Sequence, residues 1–337
     1  MEKKCAIELY VNKKYLFPNN YLEEVKSSIL ADENDYDIYF ILHGDAFKIN
    51  EISENGRLLH IIVVNITNGS KYFINIDVFV SFFVPNCSYL VISSLDEGSI
   101  LKVEYNKKGI EYLKKYCPEE YKVYAEHLEK EGHADVIIHA KSLMGMQMES
   151  NGQEHVEQYD VLYIGQTKQD DIFNRLNNHG TLQRIMRESY RSSSQKDLYI
   201  LILSIATKHI ETSSIPFYNA NFLMSNTLNK GFKLNNLKKD SMINIAEALF
   251  ISYFQPKYND RLKSREGREK LSTYRKIDNA EINPIILTFD LYYEEVKKKL
   301  ILKTDLESTQ NKVLMIECVF ENENLDVNCI NFPDAFY

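Results

Sequence analysis

Arg175 and His179 stand four residues apart in IFNRLNNHG (172–180), and four residues is one helical turn, so on a helix their side chains lie one above the other. Two such groups just beyond a strand end can hold an anion. A second candidate is Glu247, the one charged residue in MINIAEALFISYF (242–254). A helix this apolar is buried nearly all round. A lone ionised carboxylate inside it costs roughly several kcal/mol, so a cation or an Arg must face it. The third candidate is a set of cations. Arg184, Arg187 and Arg191 recur at spacings of three and four and form a basic stripe on one helix face, while RLKSREGREKLSTYRK (261–276) carries Lys263, Arg265 and Arg268 in a dense basic cluster suited to phosphate contacts. Each has an ordinary alternative: a solvated Arg beside a helix-terminal His, a structural ion pair at Glu247, and a lysine-rich solvated surface.

Short elements must position these groups. Val161–Ile164 is an apolar run that stops at Gly165, as a buried strand entering a turn does, and a helix follows with Ile172 and Leu176 on one face and Gly180 at its end. The helix over 242–254 must stop at Pro256. Upstream, DVIIHA (135–140) reads as a buried strand whose interior titratable residue is His139, and KSLMGMQMESNGQEHVEQ (141–158) reads as an extended hairpin loop leading to the Val161 strand. Residues 1–106 alternate apolar and polar over runs such as YDIYFIL and KYFINIDVFVSFFV, with Asn-Gly turns, so they read as a β-rich accessory domain. Residues 107–134 read as a helical linker interrupted by Pro118, and 277–337 as a β-rich C-terminal region that either packs on the N-terminal domain or forms a small domain alone.

Composition bounds the function. A chain of 337 residues is long enough for two or three domains, and 44% hydrophobic with 26% charged residues is an ordered globular balance. No apolar run reaches the roughly 20 residues of a membrane helix, and the first residues lack a secretory leader's apolar core, so a cytoplasmic protein that does not enter membranes is expected. Five scattered cysteines have no metal-ligand spacing and are expected to be reduced thiols. The net charge of −8 hides a split: residues 161–276 hold 19 Lys and Arg against 10 Asp and Glu, and the rest of the chain holds 21 against 38. A basic centre between acidic ends suits one domain that touches phosphate and flanks that do not.

In that order LYIGQT (162–167), RLNNH (175–179) and AEALFISYFQPKYN (246–259) resemble the GIY-YIG nuclease family, the resemblance covering about residues 135–260. It implies an α+β fold in which a small antiparallel sheet flanked by helices forms a central nuclease domain, here over 135–276, with β-rich N- and C-terminal regions on either side. By motif, Tyr163 is the tyrosine of the second tripeptide, Arg175 the phosphate-stabilising arginine, His179 its companion, Glu247 the ligand of Mg2+ or Mn2+, and Asn259 the orienting amide. One hard cation that keeps its waters needs only one carboxylate. The family's first tripeptide, Gly-Ile-Tyr, supplies the general base and has no literal match. DVIIHA takes its place in the expected hairpin, which makes His139 the expected base, a role an imidazole titrating near neutrality can fill, with Tyr159 or metal-bound hydroxide as the alternatives. The resemblance therefore implies a divalent-metal-dependent DNA endonuclease, with restriction or anti-phage defence as the expected setting and the acidic β regions serving homo-oligomer or partner-protein contacts. The other reading is a catalytically inactive nucleic-acid-binding or protein-interaction subunit.

Overall fold

The computed structural model describes residues 5–30, 35–131, 134–144, 155–167, 172–177, 179–191, 195–209, 239–259, 282–294, 297–321 and 324–330. In chain order the elements are β1 (Cys5–Pro18), α1 (Leu22–Leu30), β2 (Ile38–Asp45), β3 (Phe47–Asn55), β4 (Leu58–Asn65), β5 (Lys71–Asp77), α2 (Val78–Phe82), β6 (Leu90–Leu95), β7 (Ile100–Tyr105), α3 (Lys107–Tyr116), α4 (Pro118–Glu131) and β8 (Val136–His139). There follow β9 (His155–Gln166), α5 (Ile172–Asn177), α6 (Gly180–Arg191), β10 (Lys196–His209), α7 (Lys239–Phe254), β11 (Ile282–Asp290), β12 (Tyr292–Tyr293), β13 (Lys298–Lys303), β14 (Val313–Glu321) and β15 (Asn324–Ile330). No described helix is long and apolar enough to cross a membrane.

The expected architecture, a small central sheet with separate β-rich regions on either side, is not the one adopted. A single nine-stranded sheet in the order β12-β13-β9-β2-β10-β1-β11-β14-β15 draws strands from the N-terminal, central and C-terminal thirds of the chain. It belongs to a unit made of Met1–Gly44, Val156–Tyr293 and Lys299–Tyr337. The parallel pairing of β1 with β11 brings the C-terminal strands onto the N-terminal one, and β1 also pairs antiparallel with β10. Burial explains why the expected centre lost. Ile38–Leu42 of β2 is wholly buried at every position and must sit inside a sheet covered on both faces, whereas Val136 and Ile137 of β8 are exposed.

Alternation sorts the side chains onto two faces. Ile38, Phe40, Leu42, Leu201 and Leu203 join a core with the apolar helix α7, while Tyr39, Ile41, Ile200 and Ile202 face α1, α5 and α6. A bulge shifts the β2–β9 register between Ile41↔Tyr163 and Leu42↔Val161. The extra residue, Leu162, changes the phase of β9: Val161 and Ile164 both pack on the α7 side, and Tyr163 turns to the side of Tyr39.

The other unit comprises Asp45–His155 and Glu294–Lys298, so most of it is inserted between β2 and β9. Two three-stranded sheets, β3-β4-β5 and β6-β7-β8, enclose a core that includes Leu59, Ile61, Val63, Ile74, Leu101 and Val103. The run KYFINIDVFVSFFV does not continue as one strand. Asp77 accepts hydrogen bonds from the N–H groups of Phe79 and Val80 and starts α2 there. The expected linker helices are α3 and α4, and DVIIHA does form a strand, β8, but its neighbour is β7, with His139 opposite Ile100. Most of the expected hairpin loop, residues 145–154, lies outside the described residues.

Candidate active site

The strand beside Tyr163 is β2, not β8, and it starts with Ile38 and Tyr39, directly after Asp37. Tyr39 stands opposite Gly165, and Ile41 opposite Tyr163. The Tyr39 ring lies directly over Gly165: a Cβ there would come within 2.5 Å of Tyr39 Cζ and Oη. Glycine follows the Tyr-Ile pair because a ring occupies the space of its side chain. The Tyr39 and Tyr163 rings lie 6.1 Å apart, and His179 is set edge-on to Tyr39 at 5.6 Å and tilted against Tyr163 at 5.0 Å.

This corrects the expectation for His139, which belongs to the other unit and is not on the strand next to Tyr163. The sequence carried a signal in the Ile-Tyr step at the head of a fully apolar run. More than a hundred intervening residues hid its partner.

His179 is also placed differently from the expectation. Helix α5 ends at Asn177, and Gly180 begins α6 instead of stopping a helix, so His179 stands at the head of α6. Its Nδ1 accepts the N–H of Leu182 at 3.1 Å, a side-chain cap that requires an unprotonated ring nitrogen. Burial, reinforced by the charge of Arg175, lowers its pKa to about 4. The sign is therefore fixed. Between about pH 4 and 6.5 the unfolded chain binds a proton that the folded one refuses, so stability rises with pH across that window and is lost on acidification. A span of about two pK units corresponds to about 2–3 kcal/mol. The expected result is that wild type loses stability between pH 6.5 and 4 more steeply than His179→Asn, which caps without titrating, in denaturant unfolding at each pH. Equal slopes would remove His179 as the cause.

Arg175 sits in the last turn of α5 and is exposed, and its charge reaches Tyr39, Tyr163 and His179. Burial holds the Tyr39 phenol well above its ordinary pKa, with Tyr163 and the charge of Glu247 adding to it and Arg175 opposing. Tyr163 is raised by burial and then by Glu247, with the nearby Tyr39 hydroxyl and Arg175 opposing. Tyr39 Oη is buried near Arg175 and Tyr163 and makes no hydrogen bond of ordinary geometry with any described residue. A buried polar atom without a partner is uncommon and calls for an explanation, of which a catalytic role or a bound ion is one.

Glu247 is half-buried, not enclosed, because α7 reaches the end of β9 at this point. Gln166, the last residue of β9, donates through Nε2 to Glu247 Oε2 at 2.7 Å and to Asn244 Oδ1 at 2.8 Å. Asp37 fixes the other end of this arrangement. Its buried carboxylate accepts the N–H of Ile205 at 3.1 Å and lies 3.1 Å from the ammonium of Lys239, the first residue of α7, and burial raises its pKa. The strand that carries Tyr39 is thereby tied to the helix that carries Glu247. Asn259 acts on the backbone. Its side-chain amide donates to Ile164 O at 2.7 Å and accepts from Ile164 N at 2.8 Å, holding the edge of β9 as a neighbouring strand would. Next to it, Tyr258 donates its N–H to Leu162 O, and the guanidinium of Arg184 stacks 4.9 Å above the Tyr258 ring.

The structure thus brings Tyr163, Arg175, His179, Glu247 and Asn259 to one end of the β2–β9 pair, in the same unit, and adds Tyr39 and Gln166. Arg184 and Arg187 are exposed on α6, as the stripe requires. The side chain of Arg191, and Lys263, Arg265 and Arg268, lie outside the described residues.

Among the described residues no group of three or more His, Cys, Asp or Glu could enclose a metal ion. The donor set around Glu247 fits a different arrangement, a hard cation that keeps most of its waters and takes one carboxylate, because two buried oxygens here, Tyr39 Oη and Gln166 Oε1, lack hydrogen-bond partners among the described residues. Compared with models of protein families, with curated proteins and with solved structures, the chain matches none.

Proposed function

We propose that this protein is a divalent-metal-dependent endonuclease of the GIY-YIG kind whose substrate is DNA. The observation that carries the reading is the pairing of β2 with β9, which sets Tyr39 and Tyr163 beside His179, Arg175 and Glu247 although about 120 residues separate the two tyrosines. Asp37-Ile38-Tyr39 stands where the family's first tripeptide would, with Asp in place of Gly, and the large insertion between the two strands explains why no contiguous motif is seen.

In the mechanism, Glu247 would hold the cation, which when bound would supply electrophilic stabilisation of the phosphate and an ordered water. Tyr39 Oη is the general base: having lost its own proton to solvent, a form that the charge of Arg175 favours against burial, it receives a proton as the water oxygen forms its bond to phosphorus and the bond to the leaving sugar oxygen breaks. That oxygen takes a proton from solvent. Arg175 favours the ionised phenol and neutralises charge growing on the phosphoryl oxygens, a contribution of about 3 kcal/mol for a preorganised donor. His179, kept neutral by burial, packs against both tyrosine rings and orients them. Arg184 and Arg187 offer phosphate contacts beside the site, and a role in restriction or anti-phage defence accords with a nuclease carrying an added β-rich unit.

The test is purified full-length protein with supercoiled plasmid, with Mg2+ or Mn2+ and with chelator. Nicking or cutting that depends on the cation is expected. Retention of DNA binding with no cutting under any salt or cation would replace this reading with the catalytically inactive binding subunit.

A further inference from the structure

Gln166 is a polar residue of the site to which the mechanism gives no role, and its hydrogen bonds leave little freedom in how it is oriented. Both of its partners, Asn244 Oδ1 and Glu247 Oε2, stand three residues apart on α7 and the structure uses both as acceptors. A primary amide meets two acceptors only with its nitrogen, whose two hydrogens are both used here. The amide oxygen must therefore face the other way. Gln166 Oε1 is buried and finds no donor among the described residues. Left so, a buried carbonyl is destabilising, so a donor beyond the described residues is called for.

Resting on the endonuclease reading above, we infer that Gln166 is a positioning residue for a hydrated divalent cation. Its Nε2 sets the orientation of the Glu247 carboxylate, and its Oε1 accepts a hydrogen from the hydration shell of the ion that Glu247 binds. A hard cation held by a single carboxylate keeps several waters, and each has hydrogens to donate. Partners one step removed from a metal ligand commonly change its affinity for the ion by about 10–100-fold when removed. Because the amide is neutral, it orients the carboxylate without competing with the cation for it.

The experiment uses the full chain without DNA and follows Mn2+ binding by calorimetry and by the electron paramagnetic resonance signal of the unbound ion, with thermal unfolding alongside. Wild type is expected to bind Mn2+, and Glu247→Gln to lose that binding. Gln166→Leu keeps the bulk, removes donor and acceptor, and is expected to weaken Mn2+ by about 10–100-fold. A purely structural role would lower the unfolding temperature of Gln166→Leu and leave its Mn2+ affinity as in wild type. Absence of a Glu247-dependent Mn2+ site in wild type would sink the cation and this inference with it. Glu247-dependent binding that Gln166→Leu leaves unchanged would overturn the inference and leave the endonuclease reading standing.

Discussion

Tyr39→Phe is expected to lower metal-dependent DNA cleavage by about 10²–10⁴-fold while leaving the protein folded and at least as stable as wild type. The substitution removes one atom. The ring keeps its place over Gly165 and against His179, so packing is unchanged. Because the hydroxyl is buried and makes no hydrogen bond with a described residue, its loss sacrifices none and relieves the burial of an unpaired polar atom, a gain of about 1 kcal/mol. Loss of turnover without loss of stability is the signature of a group that acts in the reaction and not in the fold. Plasmid cleavage rates and thermal unfolding, measured on the same preparations, check both halves. His139→Ala, from the other unit, should cut as wild type does. Wild-type cutting by Tyr39→Phe, or a loss of cutting in His139→Ala, would reverse the assignment of the base.

Gly165→Ala should damage both properties. The added Cβ would meet Tyr39 Cζ and Oη at 2.5 Å and Tyr163 Cε1 at 2.8 Å, closer than carbon atoms approach in folded proteins. Both rings belong to a packed layer with His179, so relief requires Tyr39 to swing out of its place. Overpacking of this kind costs about 1–3 kcal/mol, and displacement of the hydroxyl should reduce cutting at least as far as Tyr39→Phe does. Gly180 provides the contrast. Nothing lies within 4 Å of a Cβ placed there and it begins α6, so Gly180→Ala is expected to be neutral or slightly stabilising. Denaturant unfolding of the two variants distinguishes them; a Gly165→Ala protein with wild-type stability and turnover would show that the ring need not lie over the strand.

Several parts of the site are legible from residue type and spacing because they are local. The Tyr-Ile-Gly strand end, the all-apolar helix with a single carboxylate and the stop at Pro256 each follow from patterns a few residues long, and each is present in the structure as an element. Errors appear where local pattern is silent. Four-residue spacing places Arg175 and His179 on one helix only if that helix is continuous, and it ends at Asn177. An apolar run around Glu247 suggests full enclosure, but α7 meets the end of β9 there and leaves the carboxylate half-buried beside Gln166.

Strand partnership is the larger matter. Nothing in the sequence near Val161–Ile164 says whether its neighbour is the strand before it in the chain or one far upstream, because pairing is decided by which strand can be covered on both faces. Ile38–Leu42 can, with α7 on one side and α1, α5 and α6 on the other, whereas β8 presents Val136 and Ile137 to solvent. The bulge at Leu162, which sets Tyr163 on the same face as Tyr39, is likewise a property of the pair and not of either strand. Residue types and spacing alone therefore picked out a carboxylate, an arginine, a histidine and a tyrosine as candidates for one site. Only the tertiary structure decided that the tyrosine on the strand paired with Tyr163's is Tyr39, because a nine-stranded sheet buries that strand better than the one beside it in sequence.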